Sequence, residues 1–432
     1  MPKWGWFMKI SLNKIVHALS IALDLAMVNS DMGLKMMEDI DSNNSTKSKF
    51  SHHSNRTTYI SLRIGKQLQL DDESYKNLYI SAMLHDIGCQ GIFDKAHTFK
   101  EYIKEHCIEG ANMILKIPMF IHMYDIILYH HENYDGSGAM KLKNYLTPIE
   151  SQIIRLADSI EILYDEAIPF YMQKDKIIEY VKKNKGILFS PKIVEAFLEI
   201  CPAESFWLDI NNTPFFPFIL QDILPKDITY VTLEEFEYIA DIFASIIDNK
   251  SSFTASHSRG IANLAYDFSR HVGYSDSKCL KMKIAGLLHD IGKVAIPNDI
   301  LDKNTSLTNE EFSIIKSHTY YTKLILDRIE EISDICDWAC NHHEKLNGEG
   351  YPRKLKAEEI SEEARIIGVC DIYQALTEDR PYRKGMYMYE AFSILDDMAN
   401  NGFICKKAVK YMKDTLIANA QKNSANVFSE NN

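Results

Sequence analysis

Two octapeptides, MLHDIGCQ beginning at Met83 and LLHDIGKV beginning at Leu287, each set a histidine beside an aspartate in one chain of 432 residues. After the second, separate stretches supply further donors: His318, the adjacent His342 and His343, and Asp371. Imidazole with carboxylate and no thiolate is the donor set of iron, manganese or zinc in a site that performs chemistry. One aspartate among so many imidazoles can bridge two ions, and two ions roughly 3.5–4 Å apart suit in-line hydrolysis of a phosphodiester. A single His-Asp pair says little. An ordered set that occurs twice says much more.

The set does occur twice. His53 aligns with His257 and His85 with His289 at an offset of 204 (257−53, 289−85). His106 aligns with His318, and His130 and His131 with His342 and His343, at 212 (318−106, 342−130), while Asp158 aligns with Asp371 at 213 (371−158). Ten of the 15 histidines fall in this register, so the chain carries two copies of one domain.

The elements that position these residues read as helices. Apolar residues recur at i, i+3 and i+4 in ESYKNLYISAMLHDIG and CLKMKIAGLLHDIGKV, and no alternating strand pattern of useful length occurs. The fold class is therefore all-α, as two tandem helical bundles. Adjacent residues on an α-helix diverge by about 100°, so His289 and Asp290 share a pocket only if the helix end tilts over it. The glycine after them is small enough for close packing. Thr308 and Glu311 form a capping-box pattern, and the helix they start is expected to end near His318. Pro202, Pro214, Pro217 and Pro225 break helix continuity between the copies. The predicted organisation is a first domain over 1–205, a Pro/aromatic-rich linker over 206–230, a second domain over 231–415 and a disordered tail over 416–432. The linker aromatics Phe206, Trp207, Phe215, Phe216 and Phe218 suggest packing rather than a free tether.

Composition bounds the rest. Apolar and charged fractions of 46% and 25% are those of a globular protein. A formal charge of −12 argues against a nucleic-acid polymer as ligand, while leaving room for a small anion. Eight scattered cysteines fit free thiols in a reducing compartment. The apolar run IVHALSIALDLAMV is interrupted by His17 and Asp24 and too short to span a bilayer, so no membrane association is expected. MPKWGWFMKI lacks a signal-peptide pattern, and the expected location is cytoplasmic. Monomer and homodimer both stay open.

The second copy resembles the HD-GYP family, a branch of the HD-domain metal-dependent phosphohydrolases. The resemblance is carried by HSRG at His257, HDIGKVAIPNDIL from His289, SHTYYTKLIL around His318, HHEKLNGEGYPRKL from His342 and RIIGVCDIYQALTEDRPYRKG ending at Gly385, together about residues 250–390. It implies HD-domain bundles that hydrolyse a bacterial cyclic dinucleotide, cyclic di-GMP or 3′3′-cyclic GMP-AMP, to the linear dinucleotide. By matching position it implies His257, His289, Asp290, His318, His342, His343 and Asp371 as ligands of two divalent transition ions, Fe(II) or Mn(II), with Asp290 bridging. Lys293 resembles the residue that contacts the scissile phosphate and assists proton transfer to the leaving oxygen. Tyr351 resembles the GYP tyrosine, which stacks or hydrogen-bonds. The glycines before it would let the backbone approach the ligand. Arg380, Arg383 and Lys384 match positions that hold guanine or phosphate groups. Phe253 stands where members with a third metal carry glutamate, which favours two ions. Asn347 and Gln374 stand where the family usually has acidic residues.

In the first copy the ligand set His53, His85, Asp86, His106, His130, His131 and Asp158 is complete, which makes it a second candidate metal site. The substrate parts are missing: Cys89 replaces the lysine, DGSGAM replaces NGEGYP, and DEAIPF stands in place of EDRPYR. Metal binding without hydrolysis is expected there, with Cys89 as a small semi-buried thiol rather than a nucleophile. A degenerate copy followed by a GYP-bearing one is similar to a subgroup that includes cyclic GMP-AMP phosphodiesterases. A non-hydrolysing cyclic dinucleotide receptor or scaffold is the alternative, against which the intact lysine and GYP loop argue. Other HD hydrolases lack the HHE, GYP and RPYR elements.

Overall fold

Both HDIG helices start on side-chain caps. Asp71 accepts the Ser74 amide ahead of Asp72–Leu84, and Ser275 accepts the Lys278 amide ahead of Asp276–Leu288. Such caps satisfy amides that a first helical turn leaves without partners. Neither helix continues past its histidine. Asp290 departs from α geometry at φ −99°, ψ 8°, and the chain tightens into the 3-10 turn Ile291–Ala295. The tilt that the sequence demanded is thus a helix break, which brings His289 Nε2 to 3.0 Å from Asp290 Oδ2.

The structure, a computed structural model, describes residues 8–28, 52–89, 100–226, 229–250, 257–303, 305–379 and 384–429. The fold is all-α; the only strands among the described residues are the paired dipeptides Ile10–Ser11 and Tyr230–Val231. The chain forms two units, one of Ser11–Tyr230 and one of Met1–Ile10 with Val231–Asn432. Helix order repeats between them. Leu12–Val28, His53–Gln67, Asp72–Leu84, Lys100–Ile114 and Ile149–Leu163 in the first correspond to Leu233–Lys250, His257–His271, Asp276–Leu288, Asn309–Leu326 and Glu362–Thr377 in the second.

The glycine of each HDIG lets the turn press onto the helix bearing the third histidine. A Cβ on Gly292 would lie 1.9 Å from the His318 carbonyl oxygen, and one on Gly88 2.0 Å from that of His106. Thr322 ties the same crossing together, accepting the Gly292 amide at 3.1 Å and donating to the His289 carbonyl at 3.0 Å.

Three expectations about elements are revised. The capping box at Thr308 and Glu311 forms, but its helix runs Asn309–Leu326 and carries His318 at its middle, because Thr319, Thr322, Ile325 and Leu326 bury the face beyond it. Most of the expected linker is folded into the first unit: Glu204–Asn211 and Phe216–Gln221 are helices that bury Phe206, Trp207, Phe216 and Leu220. The final helix, Lys406–Ser429, continues through most of the expected tail. All eight cysteines are free thiols. No helix among the described residues is long and apolar enough to cross a membrane.

Candidate metal centre

In the second unit Asp290 lies between His289 on one side and His318 and His342 on the other. Its Oδ2 faces His289 Nε2 at 3.0 Å, and its Oδ1 faces Nε2 of His318 at 3.3 Å and of His342 at 4.0 Å. Asp371 Oδ1 lies 3.3 Å from His257 Nε2, and its Oδ2 lies 3.8 Å from His343 Nδ1. All seven side chains expected from the sequence therefore converge, carried by the helix His257–His271, the HDIG turn, the helix Asn309–Leu326, the residues after Ser333–Cys340 and the helix Glu362–Thr377.

Hydrogen bonds set the ring tautomers. His289, His318 and His342 each donate Nδ1–H to the carbonyl three residues earlier, on Gly286, Ile315 and Ala339, at 2.7, 2.7 and 2.6 Å. A carbonyl can only accept, so in His318 and His342, which burial keeps neutral, the inward Nε2 atoms present lone pairs. His318 Nε2 and His342 Nε2 nevertheless sit 3.5 Å apart, and Asp290 Oδ1 is buried without a hydrogen bond. Buried acceptors facing one another are costly unless a cation joins them, which is what a metal ion supplies. The residues fit a divalent ion of the transition series.

Electrostatics agree. Burial pushes His318 down to about 3 and His342 well below the ordinary imidazole value, which keeps both neutral. Although burial opposes it, the charges of His289 and Lys293 hold Asp290 well below the usual carboxylate range. Burial likewise opposes charge on His257, yet Asp371 and Glu378 raise it to about 9.

Lys293 Nζ lies 2.6 Å from Asp290 Oδ2. The Tyr351 ring stacks at a tilt 4.8 Å from that of His343 and stands 6.4 Å from that of His318. Burial, reinforced by Asp371 and Asp290, pushes the Tyr351 hydroxyl up, so it stays a donor. A cavity of about 170 Å³ opens beside His342, His343 and Tyr351. Gly350 of the NGEGYP loop is needed for the loop's own packing, since a Cβ there would lie 2.3 Å from the Lys345 amide nitrogen. Asn347 keeps a turn by accepting the Glu349 amide at 3.1 Å. Lys384 is exposed, while Phe253, Arg380 and Arg383 lie outside the described residues.

The first unit repeats the arrangement. Asp86 Oδ2 lies 3.2 and 3.3 Å from Nε2 of His53 and His85, and its Oδ1 lies 3.8 and 4.0 Å from Nε2 of His106 and His130. Asp158 stands 3.6 Å from His53 and 3.8 Å from His131. Cys89 is fully buried, and burial followed by the Asp86 charge pushes its thiol up, which removes it as a nucleophile.

Three supporting pairs escaped the sequence reading. Glu344 Oε1 accepts the Arg353 amide at 2.7 Å and Oε2 the Leu355 amide at 2.9 Å, clamping the GYP loop; Glu132 clamps the matching loop through Met140 and Leu142. Their shared 212 register (344−132) was a usable signal. Asp24 and Asp248 hold the starts of the first-histidine helices through Ser54 and Ser258, with hydroxyl bonds of 2.6 and 2.7 Å. The third pair shifts position: Glu161 meets His53 Nδ1 at 2.5 Å in the first unit, whereas its counterpart Gln374 does not, and Glu378 meets His257 Nδ1 at 3.0 Å instead.

Known proteins resemble this chain in sequence and in fold. The model of the HD domain fits residues 35–186 and again 241–404. The chain is 27% identical to 3′3′-cGAMP-specific phosphodiesterase 1 of Vibrio cholerae serotype O1, over 86% of this chain and 88% of the relative. It is 27% identical to 3′3′-cGAMP-specific phosphodiesterase 3 of the same organism over 82% and 87%. A cyclic di-GMP phosphodiesterase of Pseudomonas aeruginosa is 39% identical over 34% of this chain and 36% of its own length. Among solved structures, a cyclic GMP-AMP specific phosphodiesterase of V. cholerae shares the fold with a TM-score of 0.64 at 22% identity, covering 94% of this chain and 98% of that one. HD-domain phosphohydrolases are metal-dependent, and both buried His/Asp clusters could bind metal. With both repeats matched, the chain belongs to the HD domain family.

Proposed function

We propose that the chain is a metal-dependent phosphodiesterase that hydrolyses a bacterial cyclic dinucleotide, 3′3′-cyclic GMP-AMP or cyclic di-GMP, to the linear dinucleotide in the cytoplasm. Activity resides in the second copy, 231–415, and the degenerate copy within 1–205 supports it. The observation that carries this reading is Asp290, whose Oδ2 faces His289 and whose Oδ1 faces His318 and His342, beside Lys293 and Tyr351. The names and coverage of the relatives point to the same substrate class.

His257, His289, Asp290 and Asp371 would hold one ion, and His318, His342, His343 and the second oxygen of Asp290 the other. Bound Fe(II) or Mn(II) supplies Lewis acidity toward the phosphate and activates water. The chain does the rest. Backbone carbonyls hold the rings of His289, His318 and His342 in the ligating tautomer, and Glu378 orients His257. Water adds to phosphorus and gives up a proton to solvent, the bond to the ribose oxygen breaks, and Lys293 delivers a proton to that leaving oxygen and regains one from solvent. Tyr351 offers a protonated hydroxyl and a ring face at the mouth of the site. Arg380, Arg383 and Lys384 come after Glu362–Thr377 in the sequence and would meet the guanine or phosphate groups.

The test is a substrate panel with the purified full chain loaded with Fe(II) or Mn(II), read by product mass. Linear dinucleotide should appear from at least one of the two substrates. A folded, metal-loaded chain that binds but cuts neither would sink the proposal in favour of a receptor.

A further inference from the structure

We propose that Tyr387 and Tyr389 stack on a nucleobase of the cyclic dinucleotide at the rim of the second unit's centre, an inference that rests on the phosphodiesterase reading. The two rings lie nearly parallel, with 10° between their planes and 6.0 Å between centroids, within the range of offset-stacked aromatic pairs. Both are open to water: Tyr387 is 73% and Tyr389 71% exposed, and Met388 between them is 46% exposed. Large apolar side chains left exposed side by side mark a binding surface, whereas single scattered ones need no explanation. The rings are also held in place. Glu390 accepts the Tyr387 amide on Oε2 at 3.0 Å and the Tyr389 hydroxyl on Oε1 at 3.3 Å, so one carboxylate ties both positions. Rings set in advance lose little freedom when a ligand adds a third ring to the stack.

The position of the pair points to its ligand. The Met386 amide donates to the Leu376 carbonyl at 2.9 Å, and a Cβ on Gly385 would lie 1.9 Å from the Thr377 carbonyl oxygen. The chain just ahead of the tyrosines is thus pressed against the last turn of Glu362–Thr377, the helix that carries Asp371, and Glu378 beside that turn meets His257 Nδ1 at 3.0 Å. A dinucleotide with its phosphate at these ligands carries a base one ribose away. Every base has a flat π face, which an aromatic ring takes whatever the base's hydrogen-bonding edge. Lys384, one residue before Gly385, is exposed and adds a cation to the same stretch. The first unit, which lacks the lysine and the GYP loop, lacks the pair as well. Its corresponding helix, Phe170–Lys183, starts on Pro169 where Met388–Asn400 starts on Tyr387, and Met172 stands in place of Glu390. There Tyr171 meets Phe170 edge-on, at 80° between planes. The parallel pair therefore goes with the copy that keeps the substrate parts, and it should serve both dinucleotides alike.

The test uses the full chain loaded with Mn(II), with cyclic di-GMP and 3′3′-cyclic GMP-AMP as probes. Leucine at both positions (Y387L/Y389L) removes the rings and keeps apolar bulk. It should raise KM for both substrates about tenfold and lower kcat less, while metal content and the unfolding midpoint stay those of wild type. Phenylalanine at both positions keeps the rings and should recover most of the affinity that leucine loses. A folded, metal-loaded leucine variant with the KM of wild type would overturn the stacking proposal and leave the phosphodiesterase reading standing. So would a leucine variant that changes only the oligomeric state, since that assigns the patch to a second copy of the chain. If the wild type cuts neither dinucleotide, the phosphodiesterase reading fails, and the same comparison is made on Kd by equilibrium dialysis. Binding about tenfold weaker in the leucine variant then supports the pair, and a wild type that binds neither dinucleotide overturns it.

Discussion

Glu378 shows how one residue can compensate for another. In the first unit the carboxylate that meets the first histidine comes three positions after the aspartate ligand, at Glu161; in the second that position is Gln374, and Glu378, seven after Asp371, takes over at 3.0 Å from His257 Nδ1. A carboxylate behind a ligating imidazole orients the ring and raises its basicity, and its loss typically costs about 10–100-fold in metal affinity or activity. Glu378→Gln should therefore weaken metal retention by about that factor, as read by competition with a chromogenic chelator. Adding Gln374→Glu should restore part of the loss, because it returns the carboxylate to the place that Glu161 uses. A variant that retains metal and activity like wild type would show that Glu378 does not position His257.

Among the elements, the loop between Ser333–Cys340 and Glu362–Thr377 depends on one side chain. Glu344 receives two backbone amides from Arg353 and Leu355, on either side of the stretch that follows Tyr351. Hydrogen bonds to a charged acceptor contribute about 1.5–3 kcal/mol each, so Glu344→Ala should loosen the loop without touching a metal-facing atom. The expected result is a KM raised by about tenfold, the effect of about 1.4 kcal/mol, with metal content unchanged. Loss of metal together with activity would instead place Glu344 in the support of the centre itself. The HDIG turn is the other critical element, since Gly292 lies where a methyl group would meet the His318 carbonyl oxygen at 1.9 Å. Gly292→Ala should separate the turn from its helix and cost about 1–3 kcal/mol through overpacking, visible as a lower denaturation midpoint.

For the whole molecule, the two copies should respond oppositely to the same lesion. Asp290→Asn should reduce cyclic dinucleotide cleavage to the level of metal-free controls with little change in unfolding. Asp86→Asn should leave cleavage measurable while lowering the unfolding midpoint by about 4–8 °C, the shift that about 2 kcal/mol produces in a unit of this size. Equal losses of cleavage from both would mean that the first centre takes part in turnover. Much of this was legible in the chain itself. The histidine register, the helical periodicity and the lysine that marks one HDIG are properties of residue type and spacing, so the repeat, the all-α class and the candidate ligands could be read without coordinates. The carboxylate behind His257 could not. Glu378 reaches Nδ1 of that histidine across 121 residues, and only packed helices bring such atoms within 3.0 Å. Tertiary structure alone also decided that the helix stops between His289 and Asp290, so that both face the site, and that His131 and Asp158 are more deeply buried than their counterparts His343 and Asp371. Sequence sets which groups a chain possesses; burial and tautomer depend on which backbone carbonyls and side chains the fold places against them.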